Sequence, residues 1–182
     1  RIPTPTTRVV RSFVRSLICS LARSLDIRRQ RSPHAIGRRR CPALVDGPDD
    51  RVPTGSIRDG LKESSWGSLD LETTVVDWVD VSQADWYYAD GDSGGTKLWS
   101  GLREALQALD DAGFAFKDFD ADDDGVIDAI AFLHSAHGAE VGDDCYGASY
   151  LDRIWSHKWA MYDGGWTSSD GVYVSDYHME SA

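Results

Sequence analysis

The aromatic residues of this 182-residue chain are confined almost entirely to its later two thirds. Of its 19 Phe, Trp and Tyr residues, 18 lie at or after Trp66, and only Phe13 precedes them. Large aromatic side chains dominate hydrophobic cores, so a core cannot be centred on the first 50 residues. The length fits one domain with a short tail, and residues 46–50 (DGPDD) are typical of a turn. The sequence therefore predicts a tail at residues 1–50 and a domain at residues 51–182.

Charge divides the chain at the same place. Residues 1–50 carry 11 Arg, no Lys and 4 Asp, whereas residues 51–182 have a net charge of −18. Apolar residues between Val9 and Leu21 recur at helical spacing among arginines, which is typical of transit peptides and of helices on membrane surfaces. A disordered tail, or translated sequence upstream of the gene, is the alternative. Nucleic acid is not an expected partner, because aromatic residues are not interleaved with the arginines and the acidic domain repels phosphate.

Several classes of protein are not indicated. The sequence has no run of about 18 apolar residues, so it predicts no membrane span. The three cysteines, Cys19, Cys41 and Cys145, cannot all pair with one another and have no zinc-type spacing. None of the motifs GxGxxG, HExxH or the phosphate-binding loop is present.

Hydrophobic periodicity predicts helices and strands in alternation. The apolar residues from Leu98 to Leu109 follow the spacing of one long amphipathic helix that ends at Gly113. The other predicted elements are a helix at Ser56–Glu63 and strands at Leu69–Val81, Val126–Leu133, Ile154–Met161 and Gly171–Tyr177. The expected fold class is α/β (α+β), with a mixed sheet.

The most specific local pattern is the acidic loop at residues 120–128 (DADDDGVID). Carboxylates stand at its positions 1, 3, 5 and 9, and Gly125 at position 6 permits a sharp turn, as in calcium-binding loops. The predicted metal ligands are Asp120, Asp122, Asp124, Asp128 and the carbonyl oxygen of Val126. Ala131 replaces the glutamate that an EF-hand has at position 12, so further ligands are water or a distant carboxylate such as Glu140, Asp143 or Asp144. A solvated acidic turn without a metal ion is the alternative.

The histidines and tryptophans of the domain allow two interpretations each. His134 and His137 are three residues apart at the end of a predicted strand, where they point to opposite faces and do not form a joint zinc site. We expect His134, His137, His157 and His178 to be structural residues with satisfied hydrogen bonds. If the segment is extended, Asp176, His178 and Glu180 lie on one face and form a weak candidate metal site. Trp155 and Trp159 line a groove for sugar or peptide, or, as is more common, belong to the core.

Four stretches in order give the chain a resemblance to a known family. They are residues 56–81 (SIRDGLKESSWGSLDLETTVVDWVDV), 86–92 (WYYADGD), 119–140 (FDADDDGVIDAIAFLHSAHGAE) and 153–159 (RIWSHKW). This order resembles the immune inhibitor A-like family of secreted zinc metalloproteases, over about Ser56–Glu180. The third and fourth stretches are its most specific parts. His134 and Glu140 match the positions after the family's strand, although the family's Gly is replaced at residues 135–138. Residues 154–157 match its Trp-His motif, for which we expect a structural role.

The resemblance implies part of a zincin-like domain that cleaves protein or peptide substrates. The family's HExxH helix, in which two His hold zinc and Glu acts as the general base, follows these motifs. The chain ends at Ser181 and Ala182, before that helix. The expectation is therefore a fragment without catalytic or cofactor-binding residues, inactive alone, with structural calcium in the acidic loop and zinc only in the missing C-terminal part. Secretion is implied by the family. The alternative is a non-catalytic calcium-dependent adhesion or carbohydrate-binding module.

Overall fold

The computed structural model describes residues 55–143 and 149–181 in full, and the backbone of residues 12–22. The helices are α1 (Ile57–Ser64), α2 (Asp85–Ala89) and α3 (Leu98–Asp111). Short 3-10 turns occupy Phe116–Phe119, Ala139–Val141 and Tyr150–Asp152. The strands are β1 (Ser12–Ala22), β2 (Leu69–Asp80), β3 (Ala129–His134), β4 (His157–Ala160), β5 (Trp166–Thr167), β6 (Tyr173–Val174) and β7 (Asp176–Ser181).

Within the described residues, five strands form one mixed sheet in the order β2-β1-β3-β7-β4. Parallel pairing joins β2 to β1, β1 to β3 and β3 to β7. The edge strand β4 runs antiparallel to β7. A separate pair, β5 and β6, is antiparallel. This mixed sheet with its helices confirms the predicted α/β (α+β) class.

Strand β1 corrects the interpretation of part of the basic segment. Residues 12–22 form a strand that pairs with β2 on one side and with β3 on the other, so the predicted helix between Val9 and Leu21 is wrong there. They are also not part of a disordered tail. A central parallel strand is typically a nearly continuous apolar run, which over a short stretch cannot be told from a helix by periodicity. The rest of residues 1–50 lies outside the described residues, so the prediction for it stays a prediction.

Helix α1 lies against the start of β2 and begins where the sequence predicts. The side chain of Ser56 accepts a hydrogen bond from the Asp59 N–H at 3.2 Å, and the Asp59 carboxylate accepts one from the Ser56 N–H at 2.9 Å. This reciprocal cap satisfies two N–H groups that a helix start leaves free. Arg58 pairs with Asp70 of β2 at 3.0 Å. The cap and the ion pair together hold α1 beside the strand that follows it.

Helix α3 contributes one face to the core. Its buried residues Leu98, Leu102, Ala105 and Leu106 repeat at the predicted helical spacing. They belong to the same buried cluster as Phe132 of β3 and Met179 of β7. Each of the leucine, phenylalanine and methionine side chains contributes about 1.5–3 kcal/mol when fully removed from water. Among the helices of the described residues, none is long and apolar enough to cross a membrane.

Candidate functional site

The acidic loop at residues 120–128 connects the 3-10 turn Phe116–Phe119 to β3. Its two flanks are fixed by backbone hydrogen bonds. The Asp128 N–H donates to the Phe119 carbonyl at 2.8 Å. The Ile127 N–H donates to the Tyr173 carbonyl at 3.0 Å, and the Tyr173 N–H donates to the Gly125 carbonyl at 2.8 Å. These three hydrogen bonds attach the loop to the rest of the domain.

Three of the predicted ligands lie close together. Asp120, Asp122 and Asp124 each place one carboxylate oxygen within 4.8 Å of the others. The Asp120 side chain is buried, whereas those of Asp122 and Asp124 are exposed. Three carboxylate oxygens on an open loop are hard donors of the kind that Ca²⁺ and Mg²⁺ prefer. These three residues form the candidate metal site, called here the acidic cluster.

Asp120 organises the turn around it. Its Oδ1 accepts a hydrogen bond from the Asp124 N–H, and its Oδ2 accepts one from the Gly125 N–H, both at 3.0 Å. Gly125 adopts a φ of 83°, a left-handed conformation that glycine accepts at little cost. The Lys117 ammonium lies 2.7 Å from Oδ2. The hydrogen bond from Lys117 lowers the pKa of Asp120 most, and the two backbone N–H groups lower it further against the opposing effect of burial.

Asp128 is not among the three residues of this cluster. The Asp128 carboxylate lies 3.4 Å from the Ala121 N–H through each of its oxygens. Val126 donates its N–H to Asp124 Oδ1 at 2.8 Å, and its carbonyl oxygen stays a predicted ligand. The distant carboxylates considered above are engaged elsewhere, because Asp143 accepts a hydrogen bond from the Tyr150 N–H and Glu140 accepts two from Ser156. Asp144 lies outside the described residues.

Lys117 is a member of the site that the sequence pattern did not reveal. Besides Asp120, its ammonium contacts Asp123 Oδ1 at 2.5 Å. These two hydrogen bonds raise the pKa of Lys117 above its ordinary value. The ammonium therefore neutralises part of the negative charge of the loop. The only signal in the sequence is the spacing of three residues between Lys117 and Asp120.

A second polar cluster joins the two most specific stretches of the sequence at the carboxyl end of β3. The Glu140 carboxylate accepts a hydrogen bond from the Ser156 hydroxyl at 2.6 Å and one from the Ser156 N–H at 3.3 Å. The Ser181 hydroxyl at the end of β7 donates to the same carboxylate at 3.3 Å. Burial raises the pKa of Glu140, but the hydrogen bonds from Ser156 and Ser181 outweigh it, so that the pKa is lowered.

His157 belongs to a chain of hydrogen bonds that fixes its tautomer. The Trp99 indole N–H donates to the Tyr177 hydroxyl oxygen at 3.2 Å, and that hydroxyl lies 3.0 Å from His157 Nε2. His157 Nδ1 contacts the carbonyl of Trp155, which can only accept. Nδ1 therefore carries the proton, and Nε2 accepts from Tyr177. Burial raises the pKa of Tyr177 to about 12, against a lowering by the Trp99 hydrogen bond. This chain supports the structural role expected for the Trp-His motif.

His134 does not satisfy the expectation of a hydrogen-bonded structural histidine. It ends β3 with 3% of its surface exposed. Neither Nδ1 nor Nε2 has a hydrogen-bond partner among the described residues. Burial lowers the pKa of His134 to about 4, although Asp85, Glu140 and Glu180 act in the opposite direction. His134 is therefore a neutral, buried imidazole with two unmet polar atoms.

Exposed aromatic residues lie in the edge strand β4 and on both sides of it in sequence. Trp155 is 48% exposed, Trp159 is 51% exposed and Tyr162 is 76% exposed. The Trp159 and Tyr162 rings meet edge to face, with centroids 6.3 Å apart. The interpretation of Trp155 and Trp159 as core residues is therefore wrong. Within the part of the chain that the structure describes, β4 pairs with β7 on one side and with no strand on the other.

The chain matches the model of a known protein family. The model of the family described as "Immune inhibitor A peptidase M6, catalytic domain" matches residues 46–174. No curated protein matches the chain. The matched range contains the acidic loop, Glu140 and the aromatic edge strand, and it covers more than two thirds of the chain. The chain belongs to the immune inhibitor A family of M6 peptidases.

Proposed function

We propose that the chain is part of a secreted zinc metalloendopeptidase, to which it contributes a calcium-binding loop and an edge strand that binds the peptide substrate. Membership of the peptidase family carries this proposal, since it implies a metallopeptidase that acts on proteins. Extracellular location is supported by the family and by the calcium loop. Cleavage of casein by the chain with added Zn²⁺ tests whether these residues suffice for catalysis. We expect none, because the sequence contains no HExxH motif.

The zinc that the family implies does not fit the described residues. Their only group of three His, Cys, Asp or Glu side chains with converging ligand atoms is Asp120, Asp122 and Asp124. Catalytic zinc sites use histidine nitrogen or cysteine sulfur, with or without a carboxylate. An all-carboxylate cluster favours a harder cation. We therefore derive no step of peptide hydrolysis through zinc from these residues.

Calcium is the cation proposed for the acidic loop. Support comes from the three converging carboxylates, from the backbone bonds that hold the turn and from the mutual repulsion of the carboxylates without a cation. A cation that binds the folded state and not the unfolded chain stabilises the fold by linkage. We expect 10 mM Ca²⁺ to raise the melting temperature of the whole chain by about 5 °C.

A paired substitution makes this test specific. Asp122→Ala with Asp124→Ala should abolish the rise in melting temperature. The matched control, Glu63→Ala with Asp152→Ala, removes two exposed carboxylates outside the loop and should retain it. A rise that persists in the loop variant shows that Ca²⁺ binds elsewhere. A response to Mg²⁺ equal to that with Ca²⁺ shows a site that does not select calcium.

The edge strand β4 is the proposed place for the peptide. A strand with one unpaired edge can add an extended peptide through main-chain hydrogen bonds, and flanking side chains then supply contacts. Trp155 and Trp159 are exposed beside that edge. Binding of an unstructured peptide should change tryptophan fluorescence. Trp155→Ala with Trp159→Ala should remove most of the affinity, whereas Trp66→Ala, which is 96% exposed on another part of the chain, should leave it unchanged.

A non-catalytic calcium-dependent adhesion or carbohydrate-binding module is the second candidate. The exposed rings of Trp155, Trp159 and Tyr162 support it, since sugars stack on exposed aromatic faces. The same variants distinguish the two. Calcium-dependent binding to a polysaccharide that Trp155→Ala with Trp159→Ala removes, without any binding of peptide, favours the module. Binding of peptide without polysaccharide favours the peptidase.

A further inference from the structure

His134, at the end of β3, has two buried ring nitrogens that make no hydrogen bond to the described residues. In the sheet it lies between Leu21 of β1 and Ser181 of β7. The ring is buried and has no hydrogen-bond partner among the described residues. Buried polar atoms are nearly always paired, and an unpaired one costs about 1–3 kcal/mol. A group left in this condition at the end of a sheet needs a physical explanation.

Titratable groups on four elements act electrostatically on His134. Asp85 of α2, Glu140 of the turn Ala139–Val141 and Glu180 of β7 favour its protonated form, whereas His157 of β4 opposes it. Burial outweighs the three carboxylates at neutral pH and keeps the imidazole uncharged. A proton taken up by the ring would create a buried cation, which requires an acceptor at once.

Glu140 is the carboxylate that is linked both to the neighbour of His134 in the sheet and to the start of β4. Its carboxylate is held by the Ser156 hydroxyl and N–H and by the Ser181 hydroxyl. Ser181 is the direct neighbour of His134 in the sheet. Ser156 immediately precedes β4, so its bond to Glu140 fixes the start of the edge strand. Movement of the carboxylate towards His134 would release Ser156.

We propose that His134 and Glu140 form an acid-operated latch on the edge strand β4. At neutral pH, Glu140 holds β4 through Ser156, and His134 stays neutral. When His134 is protonated, Glu140 pairs with the imidazolium, and the start of β4 loosens. The latch makes the order of the edge strand, with its exposed Trp159 and the exposed Trp155 that precedes it, depend on pH. It does not require the proposed calcium site or peptide site.

Hydrogen exchange of the whole chain, corrected for the intrinsic effect of pH, tests the latch. We expect protection of the β4 amides, His157–Ala160, to fall about tenfold between pH 6.5 and pH 4, while α3 stays protected. His134→Phe and His134→Gln should each abolish this fall, because neither side chain takes up a proton. Glu140→Gln should also abolish it, since an amide cannot form the ion pair.

The control is His178, which is about half exposed and pairs with Glu180. His178→Gln should leave the fall in place. The proposal is overturned if wild-type β4 keeps its protection at pH 4, or if the fall persists in both His134 variants. It is also overturned if β4 and α3 lose protection together, since that is global acid unfolding. His134→Gln decides the matter should the phenylalanine variant not fold.

Discussion

Glu140 accepts two hydrogen bonds from Ser156, one from the hydroxyl at 2.6 Å and one from the backbone N–H at 3.3 Å. The two residues come from the two most specific stretches of the sequence, residues 119–140 and 153–159. Their contact joins the loop after β3 to the start of β4. A pattern that appears in the sequence as two separate motifs is one structural unit in the fold.

Removing this contact should destabilise the domain. Glu140→Ala leaves the Ser156 hydroxyl and N–H without their acceptor, and we expect a loss of about 1–2 kcal/mol in the free energy of unfolding. Ser156→Ala keeps the N–H bond and should cost about 0.5–1 kcal/mol. Urea denaturation of both variants and of the double variant gives the coupling energy. A coupling energy near zero would show that the two residues do not interact in solution.

The chain of hydrogen bonds through Tyr177 gives a second test. Tyr177→Phe removes the hydroxyl that accepts from Trp99 and donates to His157, so two partners lose a bond at once. We expect a loss of about 1–3 kcal/mol in urea denaturation. Tyr162→Phe, at an exposed residue, is the control and should change stability by less than about 0.5 kcal/mol. Equal losses of stability in Tyr177→Phe and Tyr162→Phe would contradict the hydrogen bonds of Tyr177.

Local signals account for the parts of the structure that the sequence predicted. The helix that begins at Leu98 and the strand that begins at Leu69 follow from periodicity within one segment. The grouping of Asp120, Asp122 and Asp124 follows from spacing within one loop. The zincin-like arrangement and the assignment of calcium stay predictions.

Features that depend on distant neighbours were not predicted. Strand β1 needs partners on both sides that lie about 57 and 113 residues further along the chain. The exposure of Trp155 and Trp159 depends on which edge of the sheet β4 occupies. The orphaned nitrogens of His134 result from what packs around the end of β3, and an isolated histidine in a sequence carries no sign of this.

The stability of the domain should depend on pH through His134. Its pKa is about 4 in the folded state and about 6.5 in the unfolded chain. The unfolded chain therefore binds the proton first, so stability falls as pH decreases from about 6.5 to about 4 and levels off below. The size of the effect is on the order of 3 kcal/mol. Urea denaturation at pH 7, 5.5 and 4.5 should show this fall.

His134→Gln isolates that contribution. The glutamine variant does not titrate, so its stability should vary less between pH 7 and pH 4.5 than that of the wild type. His178→Gln, at the exposed histidine of β7, should retain the wild-type dependence. An identical pH profile in wild type and His134→Gln would assign the acid sensitivity to the carboxylates.

Lys117 should compete with any cation that enters the acidic loop. Its ammonium contacts Asp120 at 2.7 Å and Asp123 at 2.5 Å, and it therefore repels a divalent ion beside Asp120. Lys117→Met keeps the apolar length of the side chain and removes the charge. Without a cation, the variant should melt at a lower temperature than the wild type, because the carboxylates lose their counter-charge.

In the presence of Ca²⁺, Lys117→Met should melt at a higher temperature than the wild type. The Kd for Ca²⁺, measured by calorimetry, should be about three- to tenfold lower in Lys117→Met than in the wild type, and the difference should shrink at high ionic strength. Lys158→Met is the control, since Lys158 of β4 pairs with Asp176 of β7, outside the loop. A Kd that rises in Lys117→Met would mean that the ammonium holds Asp120 in the geometry that the cation needs. In that case Lys117 supports the site, because the order it imposes on the turn outweighs its repulsion of the ion.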